Sequence, residues 1–332
     1  MNSSAPFPKI ELHVHLEGTV RPKTLLEIAR RNEYALPAET EEGVSKLYDF
    51  RDFAHFIDVW ALTTNALQRY EDFREIVAEY AREAAEHGAA YVEGIFSPAE
   101  RARRGVDWDE MFSGYCDGAA AAREEHGVEV RLTPDIFRGA TPDESEAVIR
   151  YSAKYRDGGI VGIGLGGREA DYSPEAYASV FEVVRGEGFA SVPHAGEVAG
   201  PASVRGALET LGADRIRHGI RSVEDAALMH ELRDREIVLD VCPVSNVRTG
   251  AVGSLEEHPL RQLVGAGVRC SISTDDPAMF DTDLKTDYEA AAALGHSPRA
   301  AYEAGLAGVL CDEETRDRLR RIGEEHDWRP LP

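Results

Sequence analysis

Basic charge is scarce in this chain. Its 37 basic residues, only five of them lysine, face 60 acidic ones, for a formal charge of -23. A field of that sign repels phosphate backbones and anionic membranes, which excludes nucleic acid and membrane surfaces as partners and leaves a small neutral molecule unaffected. Cysteine is equally sparse. Cys116, Cys242, Cys270 and Cys311 lie far apart without a Cys-x-x-Cys pair, which predicts reduced thiols in a cytoplasmic protein and no disulfide framework. Long apolar runs are missing as well. No stretch reaches the roughly 18 residues of a membrane span, and no basic segment leads into an apolar one at the N-terminus, so neither a transmembrane helix nor a signal peptide is expected.

What the chain does contain is alternation. Eight short apolar runs read as strands: Ile10–His15, Ala90–Phe96, Glu129–Pro134, Ile160–Leu165, Ala190–His194, Arg215–His218, Ile237–Cys242 and Arg269–Thr274. Their richness in Val, Ile and Leu suits strands covered on both faces. Between them lie stretches of helical periodicity, among them Trp108–His126, Asp143–Asp157, Pro174–Glu187, Ala202–Leu211 and Val223–Arg235. Eight strand–helix repeats in 332 residues predict an α/β fold, a single (β/α)8 TIM barrel over residues 1–332, with a doubly wound open sheet as the alternative. The first connection is oversized. Residues of about 22–86 form a helical insertion between strands 1 and 2, and its aromatic stripe, Phe50–Trp60, is either core packing or a lid on the catalytic face.

Three strand ends carry polar side chains. His13 and His15 are two apart on the first strand and so point to the same face, the barrel interior. His194 ends the fifth strand and Asp275 follows the eighth. In a closed barrel these ends share one mouth, where three imidazoles and a carboxylate can meet around a metal ion. Nitrogen donors plus one carboxylate and an open position suit catalytic zinc, although iron, cobalt and manganese accept the same donors. Of the other histidines outside this group and His218, only His55, in the possible lid, stands close enough in sequence to a site element to be a candidate; the rest read as surface or packing residues.

Several pieces together make the chain resemble the adenosine deaminase family of the amidohydrolase superfamily. They are Glu11-Leu12-His13-Val14-His15-Leu16-Glu17-Gly18, His194-Ala195-Gly196-Glu197, Arg215-Ile216-Arg217-His218-Gly219, Cys242-Pro243-Val244-Ser245-Asn246 and Ser273-Thr274-Asp275-Asp276-Pro277. They span nearly the whole chain in the family's order. The resemblance implies one zinc ion held by His13, His15, His194 and Asp275. It implies Glu197 as proton donor to purine N1, His218 as the group that orients and deprotonates the attacking water, Asp276 as the contact to N7 and the Gly167 amide as the contact to N3. Phe53 and Phe56, in the aromatic stripe, resemble the family's lid over the nucleoside. The activity implied is hydrolytic deamination of a 6-aminopurine nucleoside, with adenosine giving inosine and ammonia as the first expectation.

The chemistry constrains the protonation states. A donor to N1 must arrive neutral, which burial favours by raising the pKa of Glu197. N7 is an acceptor, so Asp276 can serve it only as the protonated acid or through a water, while Asp275 stays ionised beside a cation. A plain alternative makes Asp276 a helix cap ahead of Pro277.

Some positions depart from the family pattern. Glu17 stands where Asp usually binds the ribose 5′-hydroxyl, Gly164 where Asp is usual, and Arg168 where an acid is usual. Glu17 is similar to the adenine deaminase branch, which however has Asp where this chain has Arg217. Arg168 could pair with a carboxylate-bearing substrate, such as the menaquinone precursor aminodeoxyfutalosine with its benzoate at the 5′ side, or else with Glu169 or Asp171 on the surface. Aminodeoxyfutalosine and free adenine are therefore the alternative substrates. A cytidine-deaminase type lacks its Pro-Cys-x-x-Cys element here, and a phosphotriesterase-like hydrolase lacks its bridging lysine. A catalytically inactive binding relative is disfavoured because all four ligand positions, Glu197 and His218 are present.

Overall fold

Parallel strands whose side chains are buried almost throughout are possible only where helices cover one face and a filled interior the other. In a computed structural model, which describes residues 6–328, the chain does this with nine short strands. The two ends of the expected 1–332 span lie outside the described residues. Strands β1 (Lys9–His15), β2 (Ala89–Phe96), β3 (Glu129–Phe137), β4 (Gly162–Gly166) and β5 (Ala190–Ser191) pair in that order. Strands β6 (His194–Ala195), β7 (Arg215–His218), β8 (Val238–Val241) and β9 (Arg269–Ile272) form the second series, and every pairing is parallel.

The run Ala190–His194 expected as one strand is two, interrupted at Val192-Pro193. Proline has no N–H for the ladder, yet the course is unbroken: Val192 donates to Ile163 O (3.1 Å) and Pro193 O accepts from Arg217 (3.0 Å). The other junction closes beside β1. Val14 bridges Asp275 in parallel register, with His15 N donating to Asp275 O (2.7 Å) and Asp275 N to His13 O (3.1 Å). The Ser273 hydroxyl replaces ladder partners there by accepting from the Leu12 and His13 amides, both at 3.1 Å. The result is a TIM barrel.

The helix expected over Trp108–His126 forms with those bounds, stopped by Gly127 in the left-handed conformation at φ 71°. The connection after β1 holds a 3-10 turn and four helices, α1 (Pro22–Arg31), α2 (Glu41–Leu47), α3 (Phe53–Thr64) and α4 (Tyr70–Glu86). Phe50, Phe56 and Phe280 pack edge-on or tilted within 5.1–6.0 Å of one another, seating α3 beside the strand mouths. No helix among the described residues is long and apolar enough to cross a membrane.

Candidate active site

The Val14–Asp275 bridge sets Asp275 between His13 and His15. Both Nε2 atoms lie 3.3 Å from Asp275 Oδ1. His194, at the start of β6, brings its Nε2 to 3.1 Å from that of His13 and 3.2 Å from that of His15. Two site residues pay backbone strain for their positions: His218 (φ 65°) and Asp275 (φ 67°) adopt the left-handed conformation although neither is glycine, a state that persists in functional sites when the surroundings over-determine it.

These donors fit a cation. Burial pushes the His13 imidazole down to about 3 and that of His15 to about 4, and His194 lies well below its ordinary value, so all three are neutral near pH 7. His194 turns Nδ1 to Leu165 O (3.1 Å), which puts its proton there and leaves the Nε2 lone pair facing the other two rings. Burial alone would raise Asp275, but His13, His218 and His15 around it hold the carboxyl below the usual range. Imidazole lone pairs crowded to 3.1–3.2 Å around an ionised carboxylate are what a divalent ion requires. His13, His194, His218 and Asp275 all lie within reach of a common centre.

Around this cluster stand the residues expected to handle protons. Glu197 is buried, with Oε2 3.6 Å from His218 Nε2. Burial, then the charges of Asp275 and Glu169, push its carboxyl well above the ordinary range. Asp276 is raised in the same direction by burial and by Asp275. Its Oδ1 accepts from the Trp60 indole of α3 at 2.9 Å, and it makes no helix-capping bond, so the capping alternative is not what the fold shows. Gly18 permits that position, because a Cβ there would lie 1.9 Å from Asp276 Oδ1.

A pocket opens onto these groups. Phe53, Phe56, Ile57 and Trp60 of α3 line one wall and Phe137, Gly166 and Gly167 another. Glu17 is not on it. The carboxyl lies behind the wall, where Oε1 accepts from the Ser97 amide at 2.8 Å, and burial pushes it up to about 7. Arg168, which follows the pocket-lining Gly167, is partly exposed and pairs with neither Glu169 nor Asp171 but with Asp58 of α3, at 3.0 Å. His55 is spent locally, its Nδ1 accepting from the Arg51 amide at 3.2 Å.

Several supporting residues had no role assigned to them from sequence, although Ser245, Asn246 and Arg217 stand in the motifs that carry the resemblance. Ser245 donates to Asp275 Oδ2 (2.6 Å), and Asn246 stands between His218 Nδ1 (3.2 Å) and His258 Nε2 (3.1 Å). Asp135, in β3, pairs with Arg217 of β7, places Oδ2 3.5 Å from His194 Nδ1 and lines the pocket. A Cβ on Gly164 would meet Asp135 Oδ1 at 2.1 Å and Arg217 Nη1 at 2.2 Å, so this glycine makes room for the ion pair. Glu169 is buried against the turn that carries Glu197.

Comparison with known proteins agrees with this geometry. A family model described as adenosine deaminase matches residues 8–321. The chain is 51% identical over 328 residues to an aminodeoxyfutalosine deaminase of Acidothermus cellulolyticus, covering 97% of this chain and 92% of that one. It is 34% identical over 323 residues to an adenine deaminase of Acinetobacter baylyi, covering 96% and 97%. Among solved structures, adenine deaminase from Arthrobacter aurescens superimposes with a TM-score of 0.91 at 28% identity, covering 96% of this chain and 98% of that one. An amidohydrolase from Burkholderia ambifaria with bound zinc does so with a TM-score of 0.87 at 27% identity, covering 96% and 90%.

Proposed function

The chain belongs to the adenosine deaminase family and is a metal-dependent deaminase of an adenine-like substrate, and from that premise we propose that it hydrolyses the 6-amino group of a nucleoside bearing an anionic 5′ substituent, aminodeoxyfutalosine being the leading case. The first expectation, adenosine, gives way on the 51% identity to a relative of that name. The observation that carries the reading is Arg168, a cation at the rim whose partner, Asp58, is exposed and exchangeable. A substrate carboxylate could take that place. Deamination of plain adenosine or adenine offers Arg168 nothing.

His13, His15, His194 and Asp275 would hold the ion, zinc by the donor set. When bound it supplies Lewis acidity, lowering the pKa of a water from about 15.7 toward 7. His218 turns Nε2 into the site, 3.6 Å from Glu197 Oε2 and 3.8 Å from Asp275 Oδ2, where it would orient the attacking water and take its proton. Glu197, kept neutral by burial, donates to N1 as oxygen adds at C6, so that no negative charge builds on the ring. The amino group leaves as ammonia and a 6-oxopurine remains. Asp276 accepts the Trp60 N–H on Oδ1, which leaves Oδ2 to carry a proton toward N7. The Gly167 amide meets N3, and Phe53 and Phe56 cover the base.

Ammonia release from aminodeoxyfutalosine, adenosine, deoxyadenosine, adenine and S-adenosylhomocysteine, compared by kcat/KM, tests the proposal. Aminodeoxyfutalosine is expected to lead adenosine by at least about 10-fold, the worth of one good charged contact. Preference for adenosine or adenine would overturn it.

A further inference from the structure

After His194 the chain must turn sharply, and Gly196 does so at φ 71°, where a Cβ would meet Val204 Cγ2 at 2.4 Å. The turn leaves four consecutive amides, those of Gly196, Glu197, Val198 and Ala199, ahead of the helix Pro201–Glu209 with no strand or helix partner. Buried amides cannot stay unpaired without cost. One carboxylate takes all four. Glu169 Oε1 accepts from the Gly196 amide at 2.5 Å, and Oε2 accepts from Glu197 (3.2 Å), Val198 (2.9 Å) and Ala199 (3.0 Å). The Ser203 hydroxyl adds a fifth bond to Oε1 at 2.6 Å.

We propose that Glu169 is the positioning residue for the proton donor: its carboxylate gathers the amides of residues 196–199 and thereby aims the Glu197 side chain, a role that rests on Glu197 being that donor. Only an ionised carboxylate fits, because five donors need acceptors on both oxygens. The side chain is 4% exposed, so water does not compete for the turn. Arg138, also buried, supports the same strand end by donating to His194 O at 2.7 Å. Glu169 also follows Gly167, which lines the pocket, and Arg168, which holds Asp58. Three consecutive residues thus touch the purine wall, α3 and the donor turn.

Glu169→Gln replaces one acceptor oxygen by an NH2 group that opposes the amides it faces. It is expected to lower kcat by at least about 10²-fold while KM moves by less than about 3-fold, since displacement of a reacting group by about 1 Å costs that much in the chemical step. Bound metal should be unchanged. A folded Glu169→Gln enzyme with kcat within about 3-fold of the parent would overturn the proposal. Hydrogen exchange in the unaltered protein provides a check that needs no variant. The amides of residues 196–199 should be protected despite lying outside helix and strand, and exchange at open-loop rates would overturn the clamp. Glu197→Gln separates this idea from its premise: if that variant stays active, the donor assignment falls whatever Glu169 does.

Discussion

The two sides of the pocket are built differently. On the strand side each residue we assign to the reaction has a second buried residue behind it: Ser245 behind Asp275, Asn246 behind His218, Asp135 and Arg217 behind His194, Glu169 behind Glu197. On the α3 side the wall is aromatic, and two polar links tie it to the barrel mouth, Trp60 to Asp276 and the exposed pair of Asp58 with Arg168. Preorganised polar networks preserve reaction geometry, whereas an apolar wall with exchangeable links adapts to what it covers. We read the first side as the chemistry and the second as the choice of substrate.

The strand side should break hardest. Asp275→Ala removes the ionised carboxylate facing His13 and His15, and is expected to lose bound metal and activity together. An active, metal-replete variant would contradict its role as ligand. Glu197→Gln should retain metal and lose about 10² to 10⁴ in turnover, the usual worth of general acid catalysis; near-normal turnover would move the donor role elsewhere. Gly164→Ala puts a methyl where the Asp135–Arg217 pair lies. Displacing a carboxylate behind a metal-binding histidine typically costs about 10- to 100-fold in metal affinity, measurable by chelator competition. An unchanged affinity would make that pair merely structural.

Much of the strand side was legible in the sequence. A His-x-His strand and polar strand ends in family order brought His13, His15, His194, His218 and Asp275 to one mouth, because alternation and barrel closure leave them nowhere else to go. Their supports were not. The expected third strand stopped at Pro134, yet the strand continues to Phe137. That extension carries Asp135 under Gly164 and Gly166. Glu169 looked like a surface acid in a loop, and only the fold of a turn about 30 residues later buries it. Glu17, which its place in a shared motif led us to expect at the sugar, is buried, with Oε1 accepting from the Ser97 amide.

The α3 side should respond less, and selectively. Trp60→Phe keeps the ring but leaves Asp276 Oδ1 buried without its donor, at a cost of about 1–3 kcal/mol, and should lower kcat/KM similarly for every 6-aminopurine. Arg168→Ala discriminates most while disturbing least. The side chain is 40% exposed and its pair with Asp58 contributes little to stability, so melting temperature should stay nearly constant. Activity toward adenine should also hold, since the variant leaves the reacting groups untouched. Toward a carboxylate-bearing nucleoside, kcat/KM should fall about 10-fold, a loss of about 1.4 kcal/mol for one charge-assisted contact at a wet rim. Added salt should shrink the parent's preference in the same direction, because an exposed ion pair is screened. Equal losses on adenine and on the anionic substrate would show that Arg168 serves the wall as a whole, and the division between a chemical side and a selective side would then fail at its rim.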